Sequence, residues 1–311
     1  MTNYDLVIIG GGPAGLTAAI YGARTGLQTL VLEQAISGGQ MRLTGDIENY
    51  PGYETISGAT LSMALHEQAI KQGARLEIST VEKLEFKNDQ HFVETADKTF
   101  LARSIIIASG SHRLNLDCPG ADEFIGKGVS FCALCDSGFV RDEVVAVVGG
   151  GNSALEEAQY ISRFASKVII IHRRDEFRAD KIIQEKARQN SKIEFMMDSE
   201  VVKIEGTDII STIHVKNKVT GKMQFVTVGG IFVFVGNAPN TDFVPPKIKR
   251  SVGGWIETNE KLETNIPGIY AAGDVRNTDL RQIVSACADG ARAAVNASRY
   301  LDILKLPPVK N

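Results

Sequence analysis

The sequence predicts an α/β protein built from two Rossmann-like, three-layer domains, the second inserted into the first. Three observations carry this reading. The chain has 311 residues, enough for about two domains of ordinary size, each burying its own core. A strand, glycine-rich turn, helix and second strand follow one another twice, from Asp5 to Glu33 and from Glu143 to His172. The closing strand and helix, Gly268 to Leu301, make too small a unit to fold alone, so they are expected to return to the first domain. The expected boundaries are residues 1–115 and 246–311 for the outer domain and 116–245 for the inserted one.

In chain order, Asp5-Leu-Val-Ile-Ile9 is a short apolar run rich in β-branched residues, as a strand buried on both faces requires. It runs into Gly10-Gly-Gly-Pro-Ala-Gly15, where Gly10, Gly12 and Gly15 have the spacing of a dinucleotide turn. The first allows the turn, the second lets a pyrophosphate approach, and the third lets helix and sheet pack closely. Pro13 suits a first helical turn. Leu16 to Thr25 reads as a helix and Gln28 to Leu32 as the next parallel strand, ending at Glu33, a carboxylate able to accept hydrogen bonds from ribose hydroxyls. Residues 37–52 read as a polar loop and Thr60 to Gln72 as a helix. Glu77 to Phe86, His91 to Glu94 and Lys98 to Leu101 read as short antiparallel strands, a meander expected to cover one face of the parallel sheet. Ser104 to Gly110 is a buried strand closing on a glycine, expected as the fourth or fifth of the first sheet.

Phe131-Cys132-Ala133-Leu134-Cys135-Asp136 holds two of the four cysteines and lies between the two glycine loops. Two thiols separated by two residues can close a disulfide, and a helix start favours a thiolate that attacks another disulfide. Half of a zinc site is the competing reading, and it needs a second ligand pair. Cys118 and Cys287 stand alone, and His66, His91, His112, His172 and His214 form no paired pattern, so a redox dithiol is favoured and no metal is expected.

Glu143 to Val148 then leads into Gly149-Gly-Gly-Asn-Ser-Ala154, with Gly149 and Gly151 in the turn and Ala154 replacing the packing glycine. A helix from Leu155 to Phe164 and a strand from Lys167 to Ile171 complete the unit. Gly10 to Glu33 and Gly149 to His172 span the same distance in sequence, so the ribose-facing acid is replaced by His172-Arg173-Arg174, with Arg178 a helical turn on. Cations there suit a 2′-phosphate, hence NADP rather than NAD, and basic residues at a helix start oppose its dipole unless an anion is present. Asp180 to Asn190 reads as a helix, and Ile193 to Met197, Ile209 to Asn217, Met223 to Val228 and Ile231 to Val235 as strands of a hairpin region. Pro245-Pro246 and the charged Lys247 to Arg250 look like a crossing between domains.

With 34 basic and 37 acidic residues the formal net charge is −3, which gives no electrostatic argument for nucleic acid or a membrane surface. The first apolar run is too short for a signal peptide, and no stretch approaches the roughly 20 apolar residues of a membrane span. Four cysteines are too few for a disulfide scaffold. A cytoplasmic protein is expected, binding neither nucleic acid nor membrane.

Taken together, Gly10 to Gly15, Gly38-Gly-Gln40, Glu48-Asn-Tyr-Pro-Gly52, Cys132-Ala-Leu-Cys-Asp136, Gly149 to Ala154, His172-Arg-Arg-x-x-x-Arg178 and Gly273-Asp-Val275 resemble the low-molecular-weight, bacterial-type thioredoxin reductases, nearly end to end. The resemblance implies FAD on Gly10, Gly12, Pro13, Ala14, Gly15, Glu33 and Gln34. Gln40, Asn49, Val81, Ala108, Gly110, Gly273, Asp274, Arg281, Gln282 and Ile283 would surround it. It implies NADPH on Gly149, Gly151, Asn152, Ser153, Ala154, His172, Arg173, Arg174 and Arg178, a thioredoxin-like partner, and a homodimer. It implies that Cys135 faces the flavin, that Cys132 attacks the partner disulfide, and that Asp136 exchanges protons with a thiolate; a helix N-cap is the competing reading of Asp136. Ser137 and Leu134 depart from the family pattern, which more often has Gly and Thr there. The layout further implies that the inserted domain rotates about crossings near Asn115-Leu116 and Pro245-Pro246. Two other functions compete: a flavin disulfide reductase fed by ferredoxin or a dihydroflavin, and a nucleotide-binding redox sensor with structural cysteines.

Overall fold

A computed structural model describes residues 2–87 and 90–304, with the side chains of Asp46, Lys87, Leu134 and Cys135 outside the described set. The chain is α/β and divides into two compact units, Met1–His112 with Ala238–Asn311, and Arg113–Asn237.

In the first unit β1 (Thr2–Ile9) feeds α1 (Pro13–Arg24), which Gly12 enters in extended conformation with Pro13 at its first turn. Next, β2 (Thr29–Glu33) lies parallel to β1, Leu6 opposite Thr29 and Ile9 opposite Leu32. A 3-10 turn at Gly39–Leu43 and the small antiparallel pair β3 (Asp46–Ile47) and β4 (Ile56–Ser57) precede α2 (Gly58–Lys71). The Ser57 hydroxyl caps α2, accepting from Thr60 N at 3.1 Å.

Three strand expectations change here. The run expected from Glu77 to Phe86 is two strands, β5 (Arg75–Ile78) parallel to β2, and β6 (Val81–Lys87) antiparallel to β7 (Gln90–Thr95). The break follows Ser79 N donating to Glu33 O, which closes the parallel edge. Lys98 to Leu101 and Ser104 to Gly110, expected as separate, form the single strand β8 (Thr99–Ile107), since no turn residue stands between Leu101 and Ser104. Along one edge β8 pairs with β1; the other edge takes β7 beside Thr99 to Ala102. Thus β6 and β7 continue the sheet instead of covering a face, and β8 sits in its middle. Alternation divides the sheet's side chains into two cores. Leu6, Ile8, Val31 and Ile106 pack with α1 and α2, while Val7, Ile9, Leu30, Leu32, Ile105 and Ile107 pack with Leu84 and Val93. The short β9 (Ser111–Arg113) leads out.

The second unit carries β10 (Val129–Ser130), α3 (Ala133–Asp136), a 3-10 turn at Ser137–Val140, β11 (Val144–Val148), α4 (Asn152–Ile161), β12 (Lys167–Ile171), α5 (Lys181–Gln189) and β13 (Ile193–Met196). It continues with β14 (Ser199–Gly206), β15 (Ile210–Asn217), β16 (Met223–Thr227) and β17 (Gly230–Val233). A parallel sheet has the order β10-β17-β11-β12-β13, and β14-β15-β16 form an antiparallel ribbon. Helices pack on one face through Leu155, Ala158 and Ala187, and the ribbon on the other through Ile204, Ile213 and Val215. The expected hairpin region is therefore only partly one. β13 and β17 enter the parallel sheet, where Val168 faces Ile193 and Val147 faces Phe232, and β14, unread in the sequence, supplies the ribbon's third strand.

The chain returns through β18 (Asn237–Pro239), paired with β9. The units therefore divide at 112/113 and 237/238, whereas the sequence reading put the crossings at 115/116 and 245/246. Prolines 245 and 246 have linker composition, yet residues before and after them are bound into the first unit. Asn240 donates its N–H to Gly110 O at 3.0 Å and its amide to Ser109 O at 2.8 Å, and Val244 and Ile248 lie in the core. β19 (Ile269–Ala271) then takes the remaining edge of β8 beside Ile105 to Ile107. After a 3-10 turn at Gly273–Val275 comes α6 (Ile283–Ile303), started by a capping box between Gln282 and Ser285. A Cβ at Gly290 would lie 2.0 Å from Ala14 O, so glycine is what lets α6 cross α1. Among the described residues no helix is long and apolar enough to cross a membrane.

Candidate active site

The first glycine loop is shaped by close approach. Gly10 has φ +105°, and a Cβ there would meet Ala108 O at 2.4 Å; one at Gly15 would meet Gly10 O at 1.8 Å. Gly12 differs, since its Cβ would find only Gly39 Cα at 3.9 Å, so the start of α1, Pro13 and Ala14 included, is open to a phosphate. Glu33 stands at the end of β2, its Oε2 accepting from Gly11 N at 2.6 Å and its Oε1 from Ala35 N at 3.3 Å.

Gln34 is exposed beside Glu33, Ala108 sets its carbonyl against Gly10, Val81 is buried at the start of β6, and Gly110 is left-handed just past β8. Gln40 donates its side-chain amide to Ser111 O, and Asn49 Nδ2 donates to Gln282 Oε1 at 3.1 Å. Gly273 packs on Ala14, and its N–H donates to Asp289 Oδ2 at 3.1 Å, beside the half-buried Asp274. Arg276 grips the same Asp289 through Nε at 2.6 Å and Nη2 at 3.3 Å. Arg281, next to Gln282 and Ile283, lies 4.1 Å over the Trp255 ring, and its Nε is buried with no hydrogen-bond partner. Arg276, Asp289 and Trp255 belong to no motif and were missed in the sequence; the first two stand too far apart along the chain for a local signal. The open cradle at Gly12 and the orphaned donor of Arg281 fit an extended anionic cofactor of the FAD type.

The second loop repeats the logic with different neighbours. Gly149 turns at φ +152° against Phe234 O, 2.5 Å from a Cβ placed there, and Ala154 packs behind it. At Gly151 a Cβ would meet nothing within 4 Å, which leaves the start of α4 open. Asn152 and Ser153 are exposed there, and Asn152 exchanges hydrogen bonds with Asp180 at 2.9 and 2.8 Å. The equal spacing delivers His172 after β12, but not as a surface cation. The ring is 5% exposed, stacks on Phe177 with centroids 5.4 Å apart, and points Nε2 at Glu176 O, 3.1 Å away. Burial lowers its pKa, and Arg178, Arg174 and Arg173 push it further in the same direction against the Glu176 hydrogen bond. The expectation that His172 joins the arginines in facing a phosphate is therefore corrected: a neutral imidazole fills the space beneath Gly150. The side chains of Arg173, Arg174 and Arg178 are exposed with no partner among the described residues, and Arg178 N donates to Gly150 O at 2.7 Å, tying their loop to the glycine turn.

Cys132 is disulfide-bonded, Cys118 and Cys287 are free, and the Cys135 side chain lies outside the described residues. Asp136 closes the single turn of α3, its N–H donating to Cys132 O at 3.1 Å. It stands at the N-cap of the following 3-10 turn but makes no side-chain cap bond, so the N-cap reading fails. Its Oδ2 lies 2.5 Å from the hydroxyl of Ser130, a residue the sequence reading did not single out, and that hydroxyl also accepts from Cys132 N at 3.1 Å. Ser137 is buried behind the turn and Phe139 is 85% exposed. Burial pushes the Cys118 thiol up to about 11, with Asp117 and Asp122 adding to the shift, and burial raises that of Cys287. Both therefore stay protonated and unreactive.

The pyridine nucleotide-disulphide oxidoreductase family profile matches residues 4–290. A thioredoxin reductase of Peptoclostridium acidaminophilum is 43% identical over 306 residues, 96% of this chain and 97% of its own length. That of Bacillus subtilis is 41% identical over 303 residues, covering 97% and 96%. The crystal structure of thioredoxin reductase from Streptococcus pyogenes superposes with a TM-score of 0.85 at 45% identity, over 97% of this chain and 99% of that one. Two glycine loops and a disulfide-bonded cysteine, matched over nearly the whole length, have one meaning: the chain belongs to the pyridine nucleotide-disulphide oxidoreductase family.

Proposed function

We propose that this chain is a thioredoxin-disulfide reductase, with electrons passing from NADPH through FAD and the Cys132–Cys135 pair to a thioredoxin-like protein disulfide. The observation that carries it is a disulfide-bonded Cys132 in the same unit as a glycine loop flanked by three exposed arginines, in a chain similar throughout to thioredoxin reductases. When bound, the two cofactors supply hydride and two-electron transfer to a disulfide.

The protein's own groups bind, orient and move protons. Gly12, Glu33, Gln40, Asn49, Asp274 and Arg281 hold the flavin nucleotide in the first unit. Gly151 admits the pyrophosphate of NADPH, and Arg173, Arg174 and Arg178 pair with its 2′-phosphate, which selects NADPH over NADH. Cys135 takes the electrons, Cys132 attacks the partner disulfide as a thiolate, and Asp136 gives a proton to the thiolate that leaves. Phe139, exposed three residues beyond Asp136, offers the partner an apolar anchor. The chain acts in the cytoplasm as a homodimer.

The test is NADPH-dependent reduction of an aromatic disulfide reagent with and without thioredoxin, repeated with NADH and with reduced ferredoxin as donors. A rate that requires both NADPH and thioredoxin is expected. Turnover with ferredoxin alone would move the chain to a different donor, and no thiol release with any donor would leave the cysteines structural.

A further inference from the structure

We propose that Ser130 is a positioning residue for the proton-transfer step, holding Asp136 in both of its protonation states. The proposal rests on the reading that Asp136 exchanges a proton with a thiolate, and adds the group that makes this exchange possible without movement. Ser130 ends β10, is 8% exposed, and is fixed by the parallel pairing of Val129 with Ile231 and of Ser130 with Phe232. Its Oγ has three neighbours: Asp136 Oδ2 at 2.5 Å, Cys132 N at 3.1 Å and Cys132 O at 3.4 Å.

A hydroxyl has one proton and two lone pairs, and these neighbours use them in two ways. With Asp136 ionised, the Ser130 proton points at Oδ2, within the distance of a charge-assisted O–H···O⁻ bond, and Cys132 N–H occupies one lone pair. With Asp136 protonated on Oδ2, the carboxyl donates to the second lone pair and the hydroxyl proton turns to Cys132 O. The Cys132 N–H bond is common to both. The proton that arrives on Asp136 and later leaves for a thiolate is exchanged at Asp136 alone, so Ser130 gains and loses none. Both ends of the redox turn are thereby tied to one side chain.

The charged groups on the elements packed round the turn are Glu156 and Glu157 of α4, Arg113 beside the Phe131 ring at 5.8 Å, and Arg141 after the 3-10 turn. Burial raises the Glu157 carboxyl, Glu156 raises it further and Arg113 lowers it. None of these changes when Ser130 alone is altered, so a change in the Asp136 carboxyl band reports the hydroxyl.

The experiment compares Ser130→Ala and Ser130→Thr in the wild-type and Asp136→Asn backgrounds of the full FAD-loaded chain. The readouts are the carboxyl band of Asp136, isolated by infrared difference spectroscopy against Asp136→Asn, kcat/KM for thioredoxin, and NADPH–ferricyanide activity, which draws electrons ahead of the dithiol. The frequency of a carboxyl band follows its hydrogen bonding, so Ser130→Ala should shift that band. It should cut kcat/KM for thioredoxin about tenfold, with Ser130→Thr restoring it and ferricyanide activity unchanged. In the Asp136→Asn background Ser130→Ala should add almost nothing, because the two act as one unit. An unmoved band, or the same fold loss in both backgrounds, overturns the proposal and makes Ser130 a brace of the backbone. A moved band in a chain that cannot reduce thioredoxin upholds the hydrogen bond and overturns the reading of the activity.

Discussion

Adding one methyl group at neighbouring positions of the second glycine loop should have two different consequences. At Gly150 a Cβ would lie 2.3 Å from His172 Cε1, 2.4 Å from Nδ1 and 2.6 Å from Nε2, where ordinary contact begins at 3.4 Å. The ring must retreat by about 1 Å, yet it is closed in by Phe177 and tied to Glu176 O. Overpacking of this kind costs about 1–3 kcal/mol, and Arg178 N, bonded to Gly150 O, is dragged with the loop. Gly150→Ala should therefore lower the unfolding temperature of the second unit by roughly 3–10 °C. It should also weaken NADPH about 10- to 100-fold, with flavin content unchanged. Gly151→Ala puts its methyl into open space at the start of α4, so the melt should stay as in wild type while NADPH affinity falls, the methyl standing where a phosphate must come. Calorimetry of the apo and FAD-loaded chain, with NADPH titration by flavin-independent nucleotide fluorescence, separates the pair. A Gly150→Ala protein that melts and binds like wild type would refute the packing argument, and a destabilised Gly151→Ala would refute the open cradle. Combining Gly150→Ala with His172→Ala should recover part of the melting temperature, since the obstacle is removed.

Other outcomes follow from the same geometry. Arg173→Ala with Arg178→Ala should cost about 10²-fold in NADPH affinity, the low end for charged hydrogen bonds because both are exposed, with NADH little changed; retained preference for NADPH would sink the 2′-phosphate assignment. His172 has a folded-state pKa below its ordinary 6.5, so the unfolded chain takes up its proton first. Stability is then full above that value and falls as pH drops below it, by at most about 1.4 kcal/mol per pH unit. Thermal melts between about pH 5 and 8 should fall more steeply in wild type than in His172→Gln, and parallel curves would count against a buried neutral ring. With Cys118 moved from 9.0 to about 11, its alkylation should run about 10²-fold slower than that of an ordinary exposed thiol, and mass spectrometry after NADPH reduction should find label on the redox pair first.

What could be read in the sequence is what local geometry dictates. A glycine at Gly10 or Gly149 is required because the backbone must pass an atom at contact distance, and the spacing to the next strand end follows from the length of one βαβ turn. That spacing says where the chain arrives and not which way a ring points, so His172 was grouped with the arginines beside it. Strand partners were legible when they were adjacent, as β6 with β7, and illegible when remote, as β17 between β10 and β11, because nothing in Gly230-Ile-Phe-Val233 names a partner far along the chain. Asp289 and Trp255 were invisible for the same reason, each meeting a motif residue across a long stretch of chain, whereas Ser130 stands close in sequence and only the turn of the backbone aims its hydroxyl at Asp136.

The shared edge of β8 bears on how the molecule comes into being. Its first half has its partner, residues 90–95, already made when it is synthesised, but the half beside Ile105 to Ile107 stays bare until residues 269–271 arrive. Between the two lies the whole second unit, which has every strand of its own sheet within its own span. On a ribosome the guest thus ripens before its host. Meanwhile the nascent host carries an open hydrophobic strand edge, the kind of surface that recruits other chains. β19 closes that edge, and α6 follows it to lie across α1 at Gly290, where no side chain bars the way.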